Sequence, residues 1–101
     1  MTAVAEIVTF RLASGVSPEE FRAKAAGIDP HLRETGAVIR RCLSCDADGL
    51  WTDHIEWTSM EAAEAAAKEV LALPPAAPML SAINPESVTM RHAPIQHRMM
   101  E

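Results

Sequence analysis

Gly36–Lys68 reads GAVIRRCLSCDADGLWTDHIEWTSMEAAEAAAK. It divides into a strand, a tight turn, a second strand and a helix. Val38 to Cys45 and Leu50 to Thr58 are rich in β-branched, aromatic and aliphatic residues, as strands require. Between them sits Asp46-Ala47-Asp48-Gly49. A two-residue Asp48-Gly49 turn fits here, and so does a three-residue Ala47-Asp48-Gly49 loop closed by Gly49 in the left-handed region. The two differ by one residue of register, and a one-residue slip turns every side chain to the other face. The three-residue loop pairs Ile39 with Trp57, Arg41 with Ile55, Leu43 with Asp53 and Cys45 with Trp51. On the other face it pairs Arg40 with Glu56 and Cys42 with His54. A mostly apolar face is thereby separated from a polar one with opposite charges across the strands. The two-residue turn sets Arg40 against Trp57 and Arg41 against Glu56, mixing the faces. The three-residue loop is preferred.

The apolar face needs a cover, and the next segment supplies it. Thr58-Ser59-Met60-Glu61 fits a capping box, with Thr58 as N-cap and Glu61 reaching back. Ala62 to Ala67 has high helix propensity and little bulk, so this helix can lie close on the sheet above Trp57.

Upstream, Val4 to Leu12 alternates as a strand. Val4, Val8, Phe10 and Leu12 share one side, which Glu6 interrupts. Val16-Ser17-Pro18-Glu19-Glu20-Phe21 is a dense helix start. Ser17 is the N-cap, Pro18 the first helical residue and Glu20 the closing member of a capping box, while Val16 and Phe21 form a hydrophobic staple. Asp29-Pro30 reads as a second N-cap and first helical position, which predicts a kink or restart, and Gly36 ends the helix. Downstream, Leu73 to Pro78 stops the second helix. Pro78 to Ile83 offers a turn or two of helix. Glu86 to Ala93 is the last strand, with Val88, Met90 and His92 on one face.

The whole is 101 residues with net charge −5, four aromatic side chains and no tyrosine. Such a chain makes one small domain with its own core. The charge argues against nucleic acid or an anionic membrane as partner, and no stacking platform for single strands is present. No basic segment leads into a long apolar core, and no apolar run reaches the ~20 residues of a membrane span. The expectation is a cytoplasmic protein with reduced thiols. Residues 1–94 form the domain and residues 95–101 a tail that is either disordered or docked on a partner subunit.

The order strand, helix, strand, strand, helix, strand gives the ferredoxin-like split unit. This is an α+β fold, a four-stranded antiparallel sheet with both helices on one face. A semi-apolar bare face of that size marks an interface, which a homodimer packing sheet on sheet would cover. In WTDHIEWTSMEAAEAA, IDPHLRETGAVIRR and APMLSAINPESVTM the chain resembles the dimeric α+β barrel superfamily, which includes the antibiotic-biosynthesis-monooxygenase-like proteins. That resemblance implies the same βαββαβ fold and a homodimer. Its members include cofactor-free monooxygenases, haem-degrading enzymes and muconolactone-isomerase-like enzymes. The Asn, His and Trp set of the haem-degrading branch has no place here, so no catalytic residue is carried over.

Candidate chemistry must come from the residues themselves. Cys42 and Cys45 have the spacing of a zinc or redox pair. On a strand they point to opposite faces, there is no second cysteine pair, and neither opens a helix. They read as small apolar strand residues. His31, His92 and His97 match no metal spacing. Met60, Met79, Met90, Met99 and Met100 read as packing. Neither a metal nor a cofactor is expected. His54, Glu56, Arg40 and Cys42 share the polar face of the hairpin, which a dimeric barrel turns inward. There His54 could serve as general base with Glu56, and Arg40 could hold an enolate or carboxylate beside Cys42. The plainer reading is an Arg40–Glu56 cross-strand pair with a satisfied histidine. Two functions stay open. One is a small-molecule-binding barrel of monooxygenase-like or isomerase-like type, with a pocket between helices and sheet lined by His54, Glu56 or Arg40. The other is a dimerisation or interaction module whose barrel is filled by its own side chains.

Overall fold

A computed structural model describes residues 2–99. Its strands are β1 (Val4–Phe10), β2 (Val38–Cys45), β3 (Trp51–Trp57) and β4 (Thr89–Pro94). Its helices are α1 (Pro18–Ala26), α2 (Asp29–Glu34), α3 (Met60–Leu71) and α4 (Ala77–Ser81), with 3-10 turns at Pro74–Ala76 and Pro85–Ser87. The sheet is antiparallel throughout, in the order β2-β3-β1-β4. This is the expected α+β ferredoxin-like arrangement. The helices cover one face, where Phe10, Trp51, Ile55 and Trp57 of the sheet join Phe21, Leu32, Ala63 and Val70 in one core. Phe21 packs edge-on against Phe10 and Trp51, with ring centroids 5.3 and 5.0 Å apart.

The hairpin closes through the three-residue loop. Gly49 sits at φ +83° and its N–H donates to the Asp46 carbonyl at 3.2 Å. The Asp46 carboxylate accepts from the N–H groups of Asp48 and Leu50, at 2.9 and 3.0 Å. Arg40, Arg41, Cys42, Leu43 and Cys45 pair with Glu56, Ile55, His54, Asp53 and Trp51 as read. The Ile39–Trp57 pair is corrected. The register shifts between Val38 and Arg40, and Val38 faces Trp57. Ile39 is the extra residue of a bulge on an edge strand, 45% exposed, a common way to blunt an edge.

Helix boundaries moved for identifiable reasons. Thr58 is not the cap of α3. Its N–H still donates to the Ala37 carbonyl, so the chain leaves the sheet one residue later. Ser59 caps instead, accepting from the Ala62 N–H at 3.1 Å, and an alanine at that position cannot complete a capping box. Ser17 caps α1 as read, accepting from the Glu20 N–H at 3.1 Å. The chain does restart at Asp29-Pro30, but Asp29 is the first residue of α2 rather than its cap, and its carboxylate binds Arg41. β1 ends at Phe10, leaving Leu12 in a lone bridge to Ile83. β4 begins only at Thr89, because Asn84 caps the 3-10 turn ahead of it. After β4, the Ile95 N–H donates to the Ala3 carbonyl and Arg98 reaches Glu56. Met100 and Glu101, the end of the expected tail, lie outside the described residues.

Candidate functional site

Strand alternation places Glu6 on the helix-covered face with Val4, Val8 and Phe10. It is 6% exposed there, and a carboxylate so buried needs a partner. The β1–β4 register sets His92 opposite it, and His92 Nε2 lies 3.0 Å from Glu6 Oε1. The pair lines a cavity of about 770 Å³ between the sheet and helices α3 and α4. This volume falls within the range of small-molecule sites. Phe10, Ile28, Ile55, Ala63 and Val70 make much of its apolar wall. Leu71, Leu80, Val88 and Met90, four of the large apolar side chains left exposed, also line it. The exposed hydrocarbon is therefore gathered around this opening.

Trp57 also lines the cavity. The residue is fully buried, yet its indole Nε1 has no hydrogen-bond partner among the described residues. A buried donor left unpaired costs about 1–3 kcal/mol. The cavity thus holds a carboxylate–imidazole pair within apolar walls, one of which is the Trp57 side chain. Glu64 and Lys68 of α3 add charge to its lining.

The adjoining wall is an ion-pair cluster. Arg41, on the helix face, donates from Nε and Nη2 to both Asp53 oxygens at 3.0 and 2.7 Å. Its Nη1 donates to the Asp29 carboxylate at 2.9 Å and to the Ala25 carbonyl at 2.8 Å. Burial alone would lower the guanidinium's pKa, but Asp53 and Asp29 together outweigh it and raise the pKa above its ordinary value. Arg41 therefore stays charged and ties the α1–α2 junction to β3.

The opposite, uncovered face carries the residues singled out from the hairpin. Arg40 Nε lies 3.1 Å from Glu56 Oε2, and Arg98 Nε donates to Glu56 Oε1 at 2.8 Å. Cys42 faces His54 across the strands. His54 Nε2 is buried without a partner among the described residues. The structure thus brings Arg40, Cys42, His54 and Glu56 to one face, and none of the four lines the helix–sheet cavity. Arg40 instead lines a shallower groove beside β2. Both cysteines are free and exposed.

Sequence reasoning passed over the pair that the cavity holds. The signal was present: Glu6 interrupts an apolar strand face, and His92 shares a face with Val88 and Met90. What the sequence lacked was the register that joins them. Among the described residues, no three His, Cys, Asp or Glu side chains gather as metal ligands, and no helix is long and apolar enough to cross a membrane.

No protein-family model and no curated protein matches the sequence. Solved structures do. SnoaB, a cofactor-independent oxygenase from Streptomyces nogalater, is 20% identical with a TM-score of 0.63, over 99% of this chain and 97% of that one. A proposed antibiotic biosynthesis monooxygenase from Bordetella bronchiseptica is 13% identical with a TM-score of 0.71, over 99% and 100%. A dimeric ferredoxin-like protein from an uncultured marine organism is 9% identical with a TM-score of 0.67, over 100% and 94%. At these identities the likeness is one of fold. The chain shares its α+β ferredoxin-like fold with antibiotic-biosynthesis-monooxygenase-like proteins and with a dimeric ferredoxin-like protein.

Proposed function

We propose that this protein is a homodimeric small-molecule enzyme of cofactor-independent monooxygenase-like or isomerase-like type, working in the helix–sheet cavity. The observation that carries the reading is the pair of buried Glu6 and half-buried His92 on the wall of a large apolar cavity. With Nε2 donating to Glu6, the basic lone pair of His92 sits on Nδ1. That nitrogen accepts a proton from an acidic C–H or O–H of the substrate, and the Glu6 carboxylate offsets the imidazolium that forms. The substrate is left as an anion, and the Trp57 N–H donates to its oxygen. Return of the proton to another carbon would complete an isomerisation. The uncovered sheet face supports the homodimer, and the name of the marine neighbour, a dimeric ferredoxin-like protein, agrees with it. Light scattering should then give about twice the 11.0 kDa chain mass.

A second reading rests on the unpartnered His54 Nε2. A second copy facing the open sheet would enclose His54, Glu56, Arg40 and Cys42 as a barrel site, with His54 and Glu56 catalytic and Arg40 and Cys42 holding the ligand. Titration with 2-naphthol, an apolar bicycle with one acidic O–H, separates the two. Loss of binding in His92→Ala and Trp57→Phe with His54→Ala unaffected supports the cavity. The reverse pattern supports the barrel. Retention in all three variants removes both.

A further inference from the structure

A second concavity, a groove of about 490 Å³, lies between α1, α2 and the edge strand β2. It is separate from the helix–sheet cavity. Leu32 is the one residue lining both, and the Arg41–Asp53 pair stands between them, Arg41 in the groove and Asp53 in the cavity. Its charge reverses that of the chain. Four of the nine lysine and arginine side chains line it, namely Arg22, Arg33, Arg40 and Arg41, against one of the fourteen acids, Asp29. Arg41 is held by Asp53 and Asp29, and Arg40 by Glu56. Arg22 and Arg33 enter no ion pair among the described residues. Between these cations the lining is hydrocarbon, from Val38, Leu43 and the bulged, exposed Ile39.

We propose that this groove is a binding site for a small amphipathic carboxylate. Its apolar body lies on Val38, Ile39 and Leu43, and its carboxylate is taken by the guanidinium groups of Arg22 and Arg33. Planar guanidinium forks suit a carboxylate. Asp29 in the same groove repels a dianionic phosphate more than a monoanion. An added peptide strand fits poorly, because the bulge at Ile39 breaks the regular spacing of edge donors and acceptors. The volume suits a small molecule. The proposal does not depend on the chemistry assigned to Glu6 and His92.

Calorimetric titration of the whole protein with decanoate, decanol, decyl phosphate and inorganic phosphate tests it. The comparison is with an Arg22→Ala/Arg33→Ala variant, whose changes fall on exposed helix positions and leave the fold intact. Decanoate should bind with a Kd below about 1 mM and lose about tenfold in the variant, equivalent to ~1.4 kcal/mol, while decanol is unaffected. Ile39→Ser should also weaken decanoate. Decanoate binding that the arginine variant leaves unchanged would place the ligand in the other cavity and overturn the proposal. So would the absence of saturable binding. Inorganic phosphate binding as tightly as decanoate would remove the apolar floor from the argument, and tighter binding of decyl phosphate would remove the carboxylate.

Discussion

Glu6 and Glu56 are both buried glutamates on neighbouring strands, 6% and 5% exposed, and they lie on opposite faces of one sheet. Their partners differ in kind. Glu56, on the uncovered face, is held by Arg40 and Arg98, two cations that keep their charge at any ordinary pH. Glu6, under the helices, is held by His92, a side chain whose type exchanges protons near neutrality. A carboxylate clamped by permanent cations is a fastening. A carboxylate beside an imidazole in an apolar chamber can take part in moving a proton. The sheet thus keeps two kinds of buried carboxylate apart, and the one beside an imidazole is on the face that would otherwise be plain core.

The largest effect should come from the floor of the helix-covered face. Trp57 is fully buried, and Trp57→Ala should destabilise the chain by about 3–5 kcal/mol in urea unfolding. Trp57→Phe keeps most of the packing and removes the unpartnered donor. It should cost much less stability while abolishing ligand capture. Equal destabilisation by both would mean that the indole N–H has a structural role and that the cavity needs no acceptor from a ligand.

Arg41 comes next. Removing one member of a buried pair strands the other, so Arg41→Met should cost about 3 kcal/mol. Arg41→Met/Asp53→Leu should recover most of the loss. If the single change is silent, the wall beside the cavity is held by packing alone and not by the ion-pair cluster.

These residues also show what could be read beforehand. The hairpin register followed from side-chain alternation and the Asp46–Gly49 turn, because both are local. The bulge at Ile39 and the shift of the α3 cap to Ser59 were not legible. Each depends on how long β2 and β3 stay paired, and the backbone bond from Thr58 to Ala37 decides that. Arg41 and Glu6 were visible as charges on apolar faces. Their meaning was hidden because their partners are distant in sequence: Glu6 and His92 are 86 positions apart and meet only through the β1–β4 pairing. The polar face of the hairpin was legible because its alternation is local. The cavity's polar groups are the ones that break the pattern, and they are easily mistaken for noise in a strand.

The two glutamates themselves give the finest test. Glu56→Gln leaves Arg40 and Arg98 converging on a neutral amide. Charged hydrogen bonds are worth roughly 1.5–3 kcal/mol, so a loss of about 2 kcal/mol is expected. Glu6→Gln is different. The amide oxygen can still accept from His92 Nε2, so geometry and packing persist, and the stability change should stay under about 1 kcal/mol. What changes is the charge beside the imidazole, so proton transfer to His92 loses its nearest carboxylate. Capture of 2-naphthol should fall in Glu6→Gln and hold in Glu56→Gln. A Glu6→Gln change that destabilises as much as Glu56→Gln and leaves 2-naphthol capture in place would make Glu6 a second fastening and erase the distinction between the faces.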